Sequence, residues 1–433
     1  MKILFAEPQV RYPNKVHSQG RAEVGIRLNY ALLASYLRQE IPETEVRIQP
    51  YRLLDFLDQD YDITQDIQES DVVCVGASTA EAKSAREILG LAKSLGKITI
   101  AGGIFPTSNP DYFFGSADYI VKGEGEQVIV DIVRALERGE VPRVRRRQLE
   151  NIDLQPAYDL LPMDDYREHV KGIIYSARGC NNACDFCTVS PHWEHHQRLR
   201  SIDSVVEELR YYRDNGFTEV NFKDESLTQN RERLVQLIAR IKAEDLGLTY
   251  KAKSGIAELD EEILGLLRAA GFVEIHTGVE SITQSFDKGI SEEQVRRKIA
   301  MALDYGFVVN PSFILGLPGQ TQEDLRQDAD FMIEIGRDKR VKVYTCMYTP
   351  HPSSKISSSE EIRIVSDDLD DYNHVRLVAL PVSLEDSFDA LQLLYETQKR
   401  VVREVGGIEM EVDVEKILSM NPSLEDVRLR EVA

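Results

Sequence analysis

The chain has 433 residues, of which 42% are apolar and 29% are charged. Because this length exceeds what one ordinary hydrophobic core supports, the composition predicts two or three globular domains and excludes a disordered chain. The net charge of −21 argues against nucleic acid or an anionic membrane surface as a partner. No apolar run is long enough to span a bilayer and no signal-peptide core is present, so we expect a cytoplasmic protein with no membrane span.

Residues 1–140 alternate short apolar strands with amphipathic helices, the pattern of a parallel sheet covered on both faces. The predicted strands are residues 2–6, 45–48, 71–77 and 98–101, with a weaker one at 119–122. Helical periodicity predicts helices at residues 28–38, 80–95 and 127–138. The fold class is therefore α/β, and the first domain is expected to be Rossmann-like or flavodoxin-like.

Residues 141–170 interrupt this alternation with three prolines, Pro142, Pro156 and Pro162, and predict a linker. A basic cluster runs from Arg143 to Arg147. In so acidic a chain, a solvated linker or a strip that docks an acidic neighbour is favoured over a nucleic-acid site.

Residues 171–348 resume the alternation. Strands are predicted at residues 173–177, 219–223, 250–253, 273–279, 308–315 and 341–348, and helices at 202–214, 231–243, 260–270, 291–305 and 322–335. Six strand–helix units predict a partial or complete barrel with its reactive end at the carboxyl ends of the strands. Residues 349–433 are expected to form a small C-terminal extension.

The ends of these helices carry the residues that helix ends favour. Ser201, Asp260 and Ser291 stand where N-caps belong. Gly216, Gly271 and Gly306 stand where helices end.

The five cysteines are too few for a disulfide framework and indicate a reducing compartment. Cys74 and Cys346 lie in apolar runs and are predicted to be buried. Cys180, Cys184 and Cys187 follow the first strand of the second region with C-x3-C-x2-C spacing, so their thiolates can converge.

Two metal sites are compatible with three such thiolates. Zinc would need a fourth ligand, which His192, His195 or His196 could supply. A four-iron four-sulfur cluster would be held at three irons, with the fourth iron open to another ligand.

The cysteine spacing, with Phe186 just before the last cysteine, resembles that of the radical S-adenosylmethionine (SAM) superfamily. The resemblance implies a [4Fe–4S] cluster bound by Cys180, Cys184 and Cys187, with the amino and carboxylate groups of SAM on the open iron. It also implies reductive cleavage of SAM to a 5′-deoxyadenosyl radical.

Later stretches resemble the superfamily in their order along the chain. The resemblance assigns SAM binding to Phe186, Asp224, Glu225, Glu280, Ser281, Gly316 and Gly319. A carboxylate at the second strand end can accept hydrogen bonds from the ammonium group of SAM, and Glu225 is favoured over Asp224. Glu280 is expected to meet the ribose hydroxyls or an ordering partner, and the two glycines let the backbone approach the adenine.

The first domain resembles the cobalamin-binding domain of one large class of radical SAM enzymes. The matching residues are Ser78, Thr79, Gly102, Gly103, Thr107, Gly123, Glu124 and Gly125. Glycines and hydroxyls at the carboxyl edge of a parallel sheet let a flat macrocycle approach the backbone.

Two features of the first domain depart from relatives. No Asp-x-His-x-x-Gly motif occurs in residues 1–140, so no histidine is placed to replace the lower ligand of cobalt. Phe105 stands where many relatives carry histidine. The alternatives are a remnant module that serves as a lid or, less favoured, a domain that binds NAD, for which the Gly-x-Gly-x-x-Gly motif is missing.

The resemblance implies a cobalamin-dependent radical SAM methyltransferase that methylates an unactivated carbon of a small molecule or lipid through methylcobalamin and a 5′-deoxyadenosyl radical. The alternatives are a cyclisation, ring contraction or oxidation without methyl transfer, and a non-catalytic protein that binds metal or senses redox state. An electron donor such as flavodoxin or ferredoxin is expected. The loop that holds the only tryptophan, Trp193, is a candidate for contact with substrate or cobalamin.

Overall fold

The computed structural model describes residues 1–10, 24–283, 290–364, 369, 372, 379–381 and 387–406. The chain forms two compact units. The first comprises residues 1–182, 188–227 and 236–250, and the second comprises residues 183–187, 228–235 and 251–433. Across the described ranges, no helix combines the length and apolarity needed to cross a membrane.

The first unit begins with a parallel sheet of five strands. These are β1 (Lys2–Ala6), β2 (Glu45–Gln49), β3 (Val72–Gly76), β4 (Ile98–Gly102) and β5 (Tyr119–Ile120). The strands lie in the order β2-β1-β3-β4-β5, and all four pairings are parallel. This order is flavodoxin-like, and in such sheets ligands bind at the carboxyl edge between β1 and β3, where the strand order reverses.

Helices connect these strands, and each long one buries an apolar face. They are α1 (Leu28–Glu40), α2 (Tyr51–Phe56), α3 (Ile63–Gln68), α4 (Ala82–Ser94), α5 (Ile104–Ser108) and α6 (Glu126–Glu137). In α4, for example, Ala85, Ile88, Leu89 and Ala92 are all buried, the three-and-four spacing that predicts a helix on a sheet. The α/β class is confirmed.

The stretch predicted as a linker packs against the first sheet's helices. Leu149, Ile152 and Leu154 form a buried cluster that contacts Leu32 and Tyr36 of α1. The short helix α7 (Met163–His169) follows. Residues 149–154 are therefore part of the first unit's core.

A second sheet has six strands whose spatial order follows the chain. Its strands are β6 (Gly172–Ile174), β9 (Glu219–Phe222), β10 (Thr249–Gly255), β11 (Phe272–Glu280), β12 (Val308–Leu315) and β13 (Tyr344–Met347), in the order β13-β12-β11-β10-β9-β6. Two short strands, β7 (Ala177–Arg178) and β8 (Arg198–Leu199), form a separate antiparallel pair. The six strands form the predicted partial barrel.

The helices of this region end within one residue of the predicted positions, except the short first one, which was not predicted. They are α8 (Val189–His192), α9 (Ile202–Asp214), α10 (Arg231–Glu244), α11 (Glu261–Ala269), α12 (Glu292–Asp304) and α13 (Gln322–Ile335). The side chains of Ser201, Asp260 and Ser291 accept N-cap hydrogen bonds. The chain continues through β14 (Ile362–Ile364), β15 (Ala379–Pro381) and α14 (Ser387–Val405).

One predicted strand, at residues 173–177, is interrupted. Strand β6 ends at Ile174, and β7 starts at Ala177. Between them, the backbone N–H and hydroxyl of Ser176 donate to the carboxylate of Asp224 at 3.1 and 2.7 Å. Because this side chain takes the N–H that a ladder would use, the strand breaks there.

Candidate active site

The cysteine loop starts from a position that only glycine can occupy. Gly179 has φ +87°, and a Cβ atom there would overlap the carbonyl oxygen of His196 and lie 2.9 Å from the Cβ of Trp193. The residue before Cys180 therefore packs directly on the loop that carries Trp193, and this contact fixes where the first thiol leaves the sheet.

The three thiols have the donor chemistry of a cluster site. All are in the reduced form. Cys180 is buried, and its sulfur accepts a hydrogen bond from the N–H of Asn182 at 3.4 Å, while the N–H of Cys187 donates to the carbonyl of Cys184 at 3.0 Å. An N–H group that donates to a cysteine sulfur, as that of Asn182 does, suits an iron–sulfur cluster. Among the described residues, no three His, Cys, Asp or Glu side chains are close enough to bind one metal ion, so the ligand set stays a prediction.

Of the two other cysteines, both predicted to be buried, Cys74 is buried and Cys346 is partly buried against an apolar cluster. Burial raises the pKa of both the Cys74 and Cys346 thiols to about 12. Neither is poised to form a thiolate.

The two acids at the end of β9 differ in environment. Asp224 is 1% exposed and binds Ser176, and its burial raises its pKa to about 6. Glu225 is exposed and lines a cavity of the first unit. Glu225 is thus available to a ligand, whereas Asp224 fixes the backbone beside it.

At the end of β11, the chain takes an irregular course. The pairing with β12 shifts between Gly278 and Glu280, and Glu280 has φ +68°. A left-handed backbone at a residue with a side chain is strained by about 1–3 kcal/mol and is typical of functional sites. The predicted SAM residue Glu280 therefore occupies a strained position.

Ser281 has a structural partner that the sequence did not indicate. Its hydroxyl donates to the carboxylate of Asp328 at 2.8 Å, and the N–H of Ile282 donates to the other oxygen of Asp328 at 2.8 Å. Asp328 is fully buried in α13, and desolvation raises its pKa to about 6. Ser281 therefore anchors the strand end.

The turn after β12 is held by the same carboxylate. The side-chain amide of Gln320 donates to Asp328 at 2.8 Å, and its oxygen accepts from the N–H groups of Gly316 and Leu317 at 2.8 and 3.2 Å. Gly316 and Gly319 have φ +81° and +76°. Asp328 and Gln320 thus join two stretches assigned to SAM.

Phe186 also contacts this turn. It packs on the apolar cluster that contains Ile314, Leu317 and Tyr348. Its ring supports the strand end and the turn, and this packing is compatible with the predicted contact with SAM.

The first unit contains a cavity of about 560 Å³ at the carboxyl edge of its sheet. Its glycine lining residues are Gly25, Gly76, Gly102, Gly103, Gly123, Gly125 and Gly179. A Cβ atom on Gly102 would meet only the Cβ of Val121, at 3.7 Å, so the space in front of this backbone is open. Such a backbone edge fits a flat macrocycle.

Five of the eight residues assigned to cobalamin line the cavity: Gly102, Gly103, Gly123, Glu124 and Gly125. Ser78, Thr79 and Thr107 are not among its lining residues. Ser78 forms a capping box with Glu81. The hydroxyl of Thr107 donates to the carbonyl of Gly103 at 2.7 Å and accepts from the N–H of Gly123 at 3.0 Å. Thr107 therefore ties the two glycine loops together.

Glu124 is held by two arginines. The guanidinium of Arg178 donates to Glu124 at 2.7 Å and to Glu126 at 2.6 Å, and Arg198 also donates to Glu124. Burial acts to raise the pKa of Glu124, but the hydrogen bonds and charges of Arg198 and Arg178 outweigh it and hold the pKa below its usual value. Arg178 thus connects the Gly123–Gly125 loop to the strand that leads into Cys180.

Opposite charges also meet at the end of β1. Arg27 lines the cavity and donates to Glu7 and, at 2.9 Å, to Glu81. Burial alone would lower the pKa of Arg27, but the charges of Glu7 and Glu81 raise it. These buried ion pairs hold a cation at the cavity wall.

Phe105 is a core residue, which explains its departure from relatives. It is 3% exposed and contacts the rings of Tyr112 and Phe113 edge-on, with centroids 5.5 and 6.2 Å apart. Among the cavity's lining residues there is no histidine. The position therefore stabilises the domain and does not face the cavity.

Residues 174–332 match the family described as the Radical SAM superfamily. These residues therefore form a radical SAM domain. The sequence-based prediction of the family is confirmed, and the alternative of a non-catalytic metal protein is not supported.

Relatives and solved structures extend this similarity to the first unit. The chain is 27% identical over 392 residues to an uncharacterized methyltransferase of Pyrococcus horikoshii, and the match covers 82% of each chain. It is 27% identical over 364 residues to an anaerobic magnesium-protoporphyrin IX monomethyl ester cyclase of Rubrivivax gelatinosus, over 75% of this chain and 64% of that one.

A solved structure shares nearly the whole fold. It is the radical SAM methyltransferase TsrM from Kitasatospora setae, described with cobalamin and a [4Fe–4S] cluster bound. The two structures have a TM-score of 0.70 and 16% sequence identity, over 95% of this chain and 91% of that one. The chain therefore has the same fold as TsrM.

Sequence reasoning missed the residues that hold the loops in place. Arg178, Gln320 and Asp328 carry no motif, and each acts on a partner that is distant in the chain or buried. The sequence signal that could have revealed such a residue is a polar side chain at a helical position predicted to be buried, such as Asp328 on the apolar face of α13.

Proposed function

We propose that this radical SAM enzyme uses cobalamin to methylate an unactivated carbon of a small-molecule or lipid substrate. One observation carries the proposal. A single cavity in the first unit is lined by Gly102 and Gly103, by the Gly123–Gly125 loop, and by Gly179 and Glu225. The loops assigned to cobalamin thus face the same space as a residue assigned to SAM and the residue before Cys180.

We assign the cofactors to the following parts of the chain. Residues 1–140 bind cobalamin, and residues 171–348 bind the cluster through Cys180, Cys184 and Cys187 and SAM through the strand ends. Together the bound groups supply a 5′-deoxyadenosyl radical that abstracts hydrogen and a methyl group for the resulting carbon radical.

The chain's own residues orient these groups. Glu225 accepts hydrogen bonds from the ammonium of SAM, and the backbone of Gly316 and Gly319 lies against its adenine. Thr107 and Arg178 hold the loops that border the cavity, and the buried Arg27 keeps its cavity-facing charge through Glu7 and Glu81. Apolar lining residues such as Ile100 and Val121 exclude water.

The first test measures how much cluster and cobalamin the protein binds, and how it turns over SAM in the absence of substrate. The anaerobically reconstituted protein should bind about four iron atoms per chain. It should also bind cobalamin in an amount equimolar with the protein chain. With reductant and SAM it should release S-adenosylhomocysteine in proportion to the bound cobalamin, and also 5′-deoxyadenosine. The Cys184→Ala variant should lose the cluster and the deoxyadenosine but keep the cobalamin. Cluster-loaded protein that takes up no cobalamin would contradict the proposal.

A second candidate is an oxidative cyclisation, which the similarity to the Rubrivivax gelatinosus cyclase favours. Such a reaction consumes SAM only as the source of the radical. With the true substrate, methylation yields S-adenosylhomocysteine and 5′-deoxyadenosine together, whereas cyclisation yields deoxyadenosine alone. We also propose that the enzyme acts in the cytoplasm and takes its electrons from a flavodoxin or ferredoxin.

A further inference from the structure

A strip of exposed basic residues runs along residues 141–147 of the first unit. Val141 is 86% exposed, and Arg143 and Arg145 are exposed. Neither arginine has a hydrogen bond or ion pair with any residue that the structure describes. In a chain with a net charge of −21, this short segment therefore carries two exposed positive charges that no neighbouring carboxylate among the described residues neutralises.

The same strip is fixed to the loop that follows the cysteines in sequence. Arg146 forms an ion pair with Glu194 at 3.0 Å and donates to the carbonyl of His192 at 3.2 Å. Arg147 pairs with Asp131 at 3.1 Å. Arg146 and Arg147, at the end of the strip, thus hold it in place, and Arg143 and Arg145 are left to face solvent.

From this loop, contacts lead directly to a cluster ligand. Trp193 lies next to Glu194 and packs on Gly179, which is bonded to Cys180. The strip is therefore linked to the first cysteine through contacts of the loop that carries Trp193. A protein bound at the strip would be coupled to the cysteine loop through these contacts.

We infer that the strip formed by residues 141–147 docks an acidic electron-transfer protein of the flavodoxin type, which delivers the electron that SAM cleavage needs. The inference rests on the proposed function. Charge complementarity carries it, because the acidic remainder of this chain would repel such a donor and steer it to the basic strip. The exposed Val141 adds an apolar contact beside the charges.

The electron transfer is a simple exchange. The anionic flavin hydroquinone loses one electron and becomes the neutral semiquinone, and the cluster gains that electron and passes from its 2+ to its 1+ state. No bond forms or breaks, and no proton has to move.

The test compares two double variants with the same change of charge. Arg143→Glu with Arg145→Glu reverses the strip. Arg337→Glu with Lys339→Glu reverses two exposed cations between α13 and β13 at the same spacing. Each cluster-loaded protein is mixed anaerobically with flavodoxin hydroquinone at low salt, and the reduced cluster is followed by electron paramagnetic resonance.

We expect reduction by flavodoxin to slow about tenfold or more in the strip variant and to stay at the wild-type rate in the control. Reduction by dithionite, which needs no docking, should be equal in all three proteins. At about 0.5 M salt, where the screening length is about 4 Å, the difference between the variants should vanish. Arg143→Gln with Arg145→Gln should show an intermediate loss.

Equal rates of reduction by flavodoxin in the strip variant and in wild type would overturn the inference. An equal loss of rate in the control variant would also overturn it, because net charge would then be the cause. A loss of dithionite reduction would show that the strip only holds the cluster loop. Affinity for oxidised flavodoxin, measured calorimetrically without SAM, is independent of turnover. If SAM cleavage fails in wild type but binding still depends on the strip, the proposed function fails and the docking site stands.

Discussion

The two units hold their predicted cofactor loops by different physical means. In the first unit, charge fixes the Gly123–Gly125 loop, because Arg178 lies between the carboxylates of Glu124 and Glu126. In the second unit, the side-chain amide of Gln320 fixes the turn that contains Gly316. This amide is itself bound by one carboxylate, that of Asp328. The ion pairs around Arg178 therefore need each of their charged groups to be present. The hydrogen bonds through Gln320 instead depend on whether the buried carboxyl of Asp328 is protonated.

The largest effect should come from removing the cation. Arg178→Ala leaves the buried carboxylate of Glu126 without its arginine and that of Glu124 with Arg198 alone, and we expect the free energy of unfolding to fall by about 3–5 kcal/mol, with loss of cobalamin uptake. Arg47 is the matched control, since it lies between Asp66 and Glu69 at 2.9 and 2.8 Å but is half exposed. Arg47→Ala should cost less than about 1 kcal/mol. Chemical denaturation of the cofactor-free protein measures both, and similar losses would contradict the role of burial.

Two adjacent glycines at the cavity separate folding from binding. A Cβ atom on Gly103 would lie 2.9 Å from the backbone nitrogen and oxygen of Ala77, at φ +99°, so Gly103→Ala should lower the free energy of unfolding by about 2–3 kcal/mol. Gly102→Leu has room for its Cβ and projects into the cavity, so it should weaken cobalamin binding at least about tenfold with stability retained. A Gly102→Leu protein that binds cobalamin normally would place the macrocycle elsewhere.

Replacement of Asp328 tests the amide arrangement. Asp328→Asn puts an N–H2 group among donors, and we expect about 1–3 kcal/mol lower stability at neutral pH and weaker SAM binding. Asp330→Asn, on the same helix but exposed and paired with Arg400, should change neither. Calorimetric SAM titrations that fail to separate the two variants would rule out the positioning role of Asp328.

The pH dependence of stability gives a second measure of Asp328. Its pKa rises from 3.8 to about 6 on folding, so between these values the folded state binds more protons than the unfolded state. The contribution of Asp328 is therefore fully present below pH 3.8 and is lost as the pH rises through about 6. The stability of wild type relative to Asp328→Asn should decrease from pH 4 to pH 7 by about 2–2.5 kcal/mol. A difference independent of pH would mean that Asp328 titrates normally.

The smallest effect concerns the hydroxyl that joins the two glycine loops of the first unit. Thr107→Val removes both hydrogen bonds of this hydroxyl and should lower stability by about 1 kcal/mol, with reduced cobalamin occupancy. Thr107→Ser keeps the hydroxyl and should behave as wild type. If the serine variant loses as much as the valine variant, the methyl group and not the hydroxyl is what the loops require.

Local signals in the sequence predicted most of the fold. Helix α9 and strand β12 have the predicted ends, because N-caps such as Ser201 and the alternation of buried residues are encoded within a few positions. The break after Ile174 was not predictable, since it depends on Asp224, 48 positions after Ser176. The flavodoxin-like strand order likewise has no local signature.

The parts of the candidate site that could be predicted are those whose residues form a recognisable sequence motif. The cysteine spacing and the glycine pairs identified the loops, and the preference for Glu225 over Asp224 agrees with their exposure. The roles of Arg178 and Asp328 could not be predicted, because an ion pair or a buried hydrogen bond depends on which segments, distant in the chain, meet in the fold. The glycine at 103 was read as a contact for cobalamin, but its geometry shows that the fold itself requires it.

Glu280 occupies a backbone conformation that glycine would adopt without strain. A glycine at this strand end would relax the chain, and proteins commonly trade stability for activity at such points. Retaining a carboxylate there means that the enzyme gives up some stability to keep an acidic group at the bulge. Position 280 is thus a place where selection for greater thermal resistance and selection for function would favour different residues.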